Sequence, residues 1–229
     1  MEKPILFNTE MVKAILEGRK TQTRRLIRPQ PKGQLSYIFG GSHPGKWTYM
    51  SRSEAKAWDV DESEIHEEEG KFWTPPCHGD DVLYVRETWN YGYVDSEWNE
   101  GCQPEHWFEE LDWRGKDHDF LREISRFWYL ADGEDLYDLK WKPSIHMPRE
   151  AARIFLKVKR VRAERLKDIT EEDAVAEGFE ADAFFEARAR FAMTWNSVYG
   201  VSGKKVPENW GSNPWVWVIE FENALKDYV

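Results

Sequence analysis

The sequence has few cysteines, no long apolar run and no excess of positive charge. Its two cysteines, Cys77 and Cys102, are too few for a disulfide framework. No apolar stretch reaches the length needed to cross a bilayer, and the first residues lack the apolar run of a signal peptide. These absences predict a soluble cytoplasmic protein that has no membrane partner.

The net charge of −10 argues against a protein that coats nucleic acids, because such a protein needs an excess of Lys and Arg. The charge is unevenly distributed along the chain. Residues 140–167 hold ten Lys and Arg against two Glu, whereas residues 53–139 hold 25 Asp and Glu against seven Lys and Arg. A basic segment beside an acidic one can still receive a small anionic or polar ligand.

The order of the periodic segments predicts one α+β domain over residues 1–229, with a small, mostly antiparallel sheet or barrel. Strands are expected at 5–7, 82–85, 127–130, 154–161 and 215–221. Helices are expected from an Asn8 or Thr9 N-cap to Gly18, from Asp168 to Gly178 with Glu171 in a capping box, and over 181–198. On the last helix the residues Phe184, Phe191, Ala192, Trp195 and Val198 share one face. Segments 28–75 and 90–125 have no clear period. The first is predicted to form long loops, and the second to be an acidic, Trp-containing insertion.

The most informative segment is Gly18-Arg19-Lys20-Thr21-Gln22-Thr23-Arg24-Arg25, in which four cations surround two hydroxyls. Neighbouring positive charge disfavours the charged form of a lysine, so Lys20 is a candidate base and Thr23 a candidate nucleophile. In a strand these two side chains face opposite ways, but an irregular exit from a helix that ends at Gly18 lets them cooperate. A solvated basic surface is the alternative for this segment.

Glu177 occupies an unfavourable position in the last turn of the predicted 168–177 helix. A carboxylate there costs about 0.3–1 kcal/mol, because the C-terminal end of a helix is negative. The same field raises the pKa of the carboxyl group, which suits a proton donor. Glu171, Glu172 and Asp173 at the other end of the helix need no such explanation. A structural role, as a good helix former, is the alternative for Glu177.

Five segments resemble parts of ASCH domains, which have a PUA-like β-barrel. Residues 7–9 and 15–24 are similar to the opening signature of the family, and residues 80–89 to the strand that follows. Residues 141–148 resemble a segment of phage-borne members, and residues 168–178 resemble the family's helix. The segments 28–75 and 90–125 lie outside a compact ASCH core.

This resemblance implies an activity, because small bacterial members of the family hydrolyse N4-acetylcytidine with a lysine, a threonine and a glutamate. These residues fall on Lys20, Thr23 and Glu177. The resemblance implies that Thr23 attacks the acyl carbon, neutral Lys20 accepts its proton, and Glu177 protonates the departing N4. The expected ligand is an acylated cytosine nucleoside, and neither a cofactor nor a metal is expected.

Four further residues are expected to bind the substrate. Trp89 is expected to stack on the pyrimidine, with a place in the core as the alternative. Glu87 is expected to bond a cytosine edge or Lys20, or to pair with Arg86, and His146 either contacts the ligand or is structural. Arg24 is expected to contact the substrate. Arg19, Arg24 and Arg25 are also expected to surround Lys20 and to tune its pKa.

Two other functions are alternatives to the hydrolase. An RNA-binding ASCH module would use the basic segment 140–167, and a ribonuclease would use the same cationic pocket around Lys20. A zinc site at Cys77, His78, Cys102 and His106 is set aside, because their spacing matches no standard zinc motif. The sequence makes no prediction of the oligomeric state.

Overall fold

A computed structural model describes residues 1–39, 44–58, 71–96, 106–114, 125–133, 139–200 and 208–224 of the chain. Four α-helices lie within these ranges: α1 (Thr9–Leu16), α2 (Arg52–Ala57), α3 (Glu171–Ala176) and α4 (Ala187–Tyr199). The strands are β1 (Glu2–Leu6), β2 (Gln22–Leu26), β3 (Leu35–Tyr37), β4 (Trp47–Tyr49), β5 (Val82–Arg86), β6 (Trp89–Ser96), β7 (His106–Glu110), β8 (Arg126–Tyr129), β9 (Phe155–Arg165) and β10 (Trp215–Asn223). Most strand pairs of defined register are antiparallel, which confirms the predicted α+β class.

The chain separates into two compact units, each built from separate stretches of sequence. The first comprises residue 1, residues 19–81 and residues 157–222; the second comprises residues 2–18, 82–156 and 223–229. No strand order within the described residues closes into a barrel. The single domain over 1–229 and the PUA-like barrel therefore stay predictions.

In the first unit the strands β9, β10 and β2 are neighbours in that order. Thr23 of β2 lies opposite Ile219 of β10, and Arg24 lies opposite Val218. Because side chains alternate along a strand, Thr23 and Arg24 face opposite sides of the sheet. A separate buried cluster covers each side. The cluster on the side of Arg24 consists of Val218, Leu166, Ile169, Ala174, Ala187, Phe191, Trp195 and Val216.

The other side of this sheet is covered by tryptophans and by a hairpin of β3 and β4. Its buried cluster consists of Ile27, Leu35, Tyr49, Trp73, Trp215 and Trp217. The hairpin and α2 lie within segment 28–75, so the prediction of long loops there was wrong for these residues. Periodicity could not reveal them, because β3 and β4 are only three residues long. The acidic residues 67–70 lie outside the described residues.

In the second unit β1 pairs with β5 in parallel, and β6 lies between β7 and β8 in an antiparallel sheet. β6 and β7 lie in the segment 90–125, where no strand was predicted. The remainder of that segment, apart from residues 111–114 and 125, lies outside the described residues. Trp89, at the start of β6, packs with Met147 and Ala151 in the core of this unit.

Two predicted helices begin later than their sequences suggest. α3 begins at Glu171 rather than Asp168, and the Thr170 hydroxyl caps it by accepting from the Asp173 N–H at 3.1 Å. Glu171 does not complete a capping box. Its carboxylate instead accepts from the N–H groups of Ala187 and Arg188, at 2.5 and 3.1 Å, and so caps α4.

The predicted apolar face of the last helix was wrong at its two ends. Because α4 begins at Ala187, Phe184 precedes the helix, and its side chain is 86% exposed. Val198 in the last turn is exposed as well. Phe191 and Trp195 of that face are buried, as predicted.

Candidate functional site

The candidate site begins where α1 ends. The Asn8 side chain caps α1 by accepting from the Met11 N–H at 2.9 Å, as the sequence predicts. Gly18 ends the turn with φ of +76°, a conformation in which a residue with a side chain is strained. Residues 19–21 leave the helix irregularly before β2 starts at Gln22. The direction of the Lys20 side chain is therefore not set by the alternation of side chains along β2.

Lys20 and Glu177 meet in the first unit although 157 residues separate them in sequence. The Lys20 ammonium donates to Glu177 Oε2 and to the Glu177 carbonyl oxygen, both at 2.7 Å. The two side chains are 1% and 4% exposed. The alternative of a solvated basic surface is therefore wrong for Lys20.

The C-terminal turn of α3 positions Glu177. Glu177 is the C-cap residue, and Gly178 follows with φ of +96°. Gly178 N–H donates to the Val175 carbonyl at 2.8 Å, and Phe179 N–H donates to the Ala174 carbonyl at 3.1 Å. This pair of bonds is a Schellman motif, which requires a left-handed residue at the position of Gly178. The motif leaves the Glu177 carbonyl, as well as its carboxylate, directed to Lys20.

Arg24 is the centre of a larger buried ion cluster. Its guanidinium donates to Glu177 Oε1 at 3.2 Å, to Glu164 Oε1 at 2.5 and 3.1 Å, and to Asp173 Oδ2 at 2.9 Å. The Arg24 side chain is fully buried. Its Nε, Nη1 and Nη2 groups each donate to a carboxylate, so Arg24 orients the acidic residues of the cluster. Its substrate-binding role stays a prediction.

Burial changes the proton affinity of this cluster. Desolvation lowers the pKa of Lys20 below its ordinary value, and the charges of Arg25 and Arg24 lower it further, although Glu177 opposes them. Burial also lowers the pKa of Arg25. Burial opposes the charged form of Arg24 too, but its three carboxylate partners raise the pKa of Arg24. The neutral form of Lys20 is thus favoured by burial first and by neighbouring arginines second.

Thr23 is buried in β2, on the face of the strand opposite to Gln22 and Arg24. It shares that face with Ile219, its partner across β10. The contacts above bring Lys20, Arg24 and Glu177 together. They do not include Thr23, whose side chain faces the other side of β2 from Arg24.

The other three predicted binding residues, Glu87, Trp89 and His146, belong to the second unit. Glu87 is buried and accepts two hydrogen bonds from Arg153, each at 3.0 Å, so the predicted pairing with Arg86 was wrong. Burial raises the pKa of Glu87 although Arg153 opposes the shift. Trp89 is a core residue, 3% exposed, and is not an exposed platform for a base. His146 is exposed in a short 3₁₀ turn.

Sequence reasoning missed three members of the cluster: Gln22, Glu164 and Asp173. The Gln22 amide donates to the Asp173 carbonyl at 2.6 Å and to Asp173 Oδ1 at 3.1 Å. A signal for Asp173 was available, because Asp173 and Glu177 are four residues apart and so share one face of α3. Glu164 carried no such signal, since its contact with Arg24 depends on how β9 packs.

No protein-family model, curated protein or solved structure matches the chain at a significant level. The part of the chain that the structure describes contains no group of three or more His, Cys, Asp or Glu side chains arranged to hold a metal ion. Cys102 lies outside that part. None of the described helices is both long enough and apolar enough to cross a bilayer.

Proposed function

We propose that this protein is an amidohydrolase that removes acyl groups from N4 of cytosine nucleosides. The observation that carries the proposal is the buried contact at 2.7 Å between Lys20 and Glu177. The resemblance of segments 15–24 and 168–178 to ASCH domains supports the same pair. The PUA-like barrel of that family belongs to this proposal as well.

The pair can supply the base and the acid that amide hydrolysis needs. An amide carbonyl is a poor electrophile, so its hydrolysis requires both an activated nucleophile and protonation of the leaving nitrogen. Transfer of one proton across the Lys20–Glu177 contact leaves a neutral amine beside a carboxylic acid. The lowered pKa of Lys20, caused mainly by desolvation, favours the amine side of this transfer.

In the first half of the reaction, Thr23 Oγ1 attacks the acyl carbon and its proton passes to Lys20 Nζ. The C–N4 bond then breaks, N4 takes the proton of Glu177, and cytidine leaves with a neutral amino group. The acyl group remains as an ester on Thr23. Glu177 regains a proton from Lys20, which restores the neutral amine.

In the second half, water attacks the ester and loses a proton to Lys20. The bond from the acyl carbon to Thr23 Oγ1 breaks, Oγ1 takes the proton from the Lys20 ammonium, and a carboxylic acid is released. The mechanism requires Lys20 to reach the Thr23 hydroxyl when the acyl group is bound. This requirement is the step that the Thr23 variants below test.

β2 is the last of the described strands of its sheet, and its outer side offers donors for the negative charge that develops on the carbonyl oxygen. The bonds from Phe221 N–H to the Thr21 carbonyl and from Ile27 N–H to the Trp215 carbonyl fix the register. In that register the backbone groups of Thr23 and Arg25 point toward β10. The N–H groups of Gln22 and Arg24 therefore point the other way. Arg24 N–H, next in the chain after Thr23, is the proposed oxyanion donor.

The test is hydrolysis of N4-acetylcytidine, followed by chromatographic detection of cytidine. Lys20→Arg keeps the ion pair with Glu177 but cannot lose its proton, so it should fold and lose at least about 100-fold in kcat/KM. Glu177→Gln should lose activity to a similar degree. Lys13→Arg is the matched control, because Lys13 is partly exposed and pairs with Glu10.

Thr23→Ser and Thr23→Val separate the nucleophile from a buried packing residue. Ser retains the hydroxyl and should retain turnover, whereas Val keeps the shape and should abolish it. Full activity in Thr23→Val would show that Thr23 is not the nucleophile. The nucleophile would then be a water molecule that Lys20 activates. Full activity in Lys20→Arg would overturn the hydrolase mechanism itself.

The RNA-binding alternative has less support, because acidic partners occupy most cations of the basic segment 140–167. These ion pairs are Lys142–Glu110, Arg149–Glu2, Arg153–Glu87, Lys157–Asp80, Lys159–Glu222 and Arg162–Glu164. Cations that are paired within the protein contribute little to binding of phosphates.

A further inference from the structure

A cavity of about 370 Å³ lies in the first unit, beside the hairpin of β3 and β4. This volume is within the range of about 300–1,000 Å³ that is usual for small-molecule sites. Its lining includes the aromatic residues Tyr37, Phe39 and Trp47 and the basic residues His78 and Arg160. Neither Lys20, Thr23 nor Glu177 lines it.

The aromatic wall of this cavity is exposed in a way that core packing does not explain. Phe39 is 91% exposed and lies edge-on to Tyr37, with 4.8 Å between their ring centroids. Tyr37 in turn lies edge-on to Trp47 at 5.4 Å. Two backbone hydrogen bonds with Trp73 hold Trp47 in place. The wall therefore combines a fixed indole with an outer phenyl ring that is available for stacking.

Arg160 supplies a positive charge that has no acidic partner among the residues that the structure describes. Its neighbours on β9 have acidic partners: Lys157 pairs with Asp80, Lys159 with Glu222, and Arg162 with Glu164 and Glu220. The Arg160 residue is exposed, and its guanidinium has no hydrogen bond or ion pair with the described part of the chain. An arginine in this situation can bind an anion through two parallel N–H donors.

Gly45 keeps the space between the aromatic and basic walls open. A Cβ at this position would lie 3.7 Å from the His78 ring and 3.9 Å from the Tyr37 hydroxyl. Gly45 also has φ of +77°, which a residue with a side chain adopts only with strain. The His78 ring nitrogens have no hydrogen bond to the described residues, so they can serve the same ligand as Arg160.

We propose that this cavity binds a nucleoside monophosphate, with its base against the aromatic wall and its phosphate at Arg160 and His78. An aromatic wall accepts the flat face of any base, and a guanidinium matches the geometry of a phosphate. Arg162 is excluded as the phosphate ligand, because its donors are engaged by Glu164 and Glu220. The site is additional to the proposed hydrolase and does not depend on that function.

Isothermal titration with cytidine 5′-monophosphate tests the proposal, with cytidine and inorganic phosphate as separate ligands. We expect saturable binding of the nucleotide with Kd at or below about 1 mM. Arg160→Gln should weaken it about tenfold or more without affecting the weaker binding of cytidine. Phe39→Ala should weaken binding of both the nucleotide and cytidine by about fivefold or more, through lost stacking.

Lys159→Gln is the matched control, because Lys159 is an exposed cation next to Arg160 that pairs with Glu222 and does not line the cavity. Equal losses in Lys159→Gln and Arg160→Gln would overturn the proposal, as would inorganic phosphate that binds as tightly as the nucleotide. The absence of nucleotide binding would overturn it as well.

Two further arms define the site. Nucleotide affinity should be unchanged in Lys20→Arg. A loss of affinity in this variant would show that the nucleotide binds at the hydrolase residues, and it would overturn the separate site. A 5′-phosphorylated RNA tetranucleotide should compete with the mononucleotide if the natural ligand is an RNA end. A lack of competition would show that the cavity binds free nucleotides and excludes RNA ends, which supports the proposal in its narrower form.

Discussion

Lys20 obtains its chemical character from burial more than from its charged neighbours. The run of cations in the sequence predicts a lowered lysine pKa through repulsion, and the direction agrees with the structure. The main cause is different: removal from water favours the neutral amine, while the charges of Arg25 and Arg24 have smaller effects. The sequence pattern thus indicated the right residue for a secondary reason.

Substitution of Arg25 should change the titration of Lys20. The pKa of Lys20 lies below the ordinary 10.5, and the positive charge of Arg25 contributes to that lowering. Arg25→Gln should therefore raise the pKa of Lys20 and move the rising limb of kcat/KM to higher pH. The titration of the Lys20 Nζ signal by NMR and the pH profile of hydrolysis both measure this shift.

Arg28→Gln is the control for that experiment, because Arg28 is an exposed arginine that pairs with Glu208. It should leave the titration of Lys20 unchanged. A pKa that falls in Arg25→Gln, or that shifts equally in both variants, would contradict the role given to Arg25.

At the scale of elements, two helices of the chain end with the same construction. α1 ends at Gly18 and α3 ends at Gly178, and both glycines have positive φ. The first turn releases the chain toward Lys20, and the second presents Glu177. Within the first unit, Arg19 holds the end of α3, because its guanidinium donates to the Gly178 carbonyl at 3.0 Å.

Gly178→Ala should reduce stability and activity together. A side chain at φ of +96° costs on the order of 1 kcal/mol, and relief of that strain would displace Glu177 from Lys20. Urea denaturation measures the loss of stability, and hydrolysis of N4-acetylcytidine measures the displacement. Gly178→Asn should be milder, because asparagine tolerates the left-handed region better.

Gly133→Ala is the matched comparison, since Gly133 has φ of +75° and lies in the second unit. No described residue beyond its chain neighbours comes within 4 Å of its Cβ position. It should lose a similar amount of stability while retaining kcat/KM. Equal loss of activity in the two variants, measured on folded protein, would contradict the positioning role of Gly178.

At the scale of the whole molecule, the net charge of −10 and the paired cations of segment 140–167 limit binding of nucleic acids. Single-stranded RNA should therefore be held through about one phosphate, with a slope of log K against log salt near −0.7. Fluorescence anisotropy of a labelled RNA at several salt concentrations measures the slope. A slope of about −3 or steeper would indicate several phosphate contacts and favour the RNA-binding alternative.

In the first unit the sequence predicted α3, α4, β9 and β10 but did not predict β2, β3, β4 or α2. Strands β9 and β10 and the core residues Phe191 and Trp195 follow from periodicity. The failures arose where an element is too short to show a period, as in β3 and β4. They also arose where a residue of one helix caps another helix: Glu171 belongs to α3, but its carboxylate caps α4.

The sequence by itself determined the local features of the site: the caps of α1, the glycine turns, and the crowding of cations that marks Lys20. These depend on neighbours in the chain, so residue type and spacing are sufficient. Only the tertiary structure decided that Lys20 meets Glu177, that Arg24 binds three carboxylates, and that Trp89 is a core residue. Those outcomes depend on desolvation and on contacts across about 150 residues, because burial arises only when distant segments pack together.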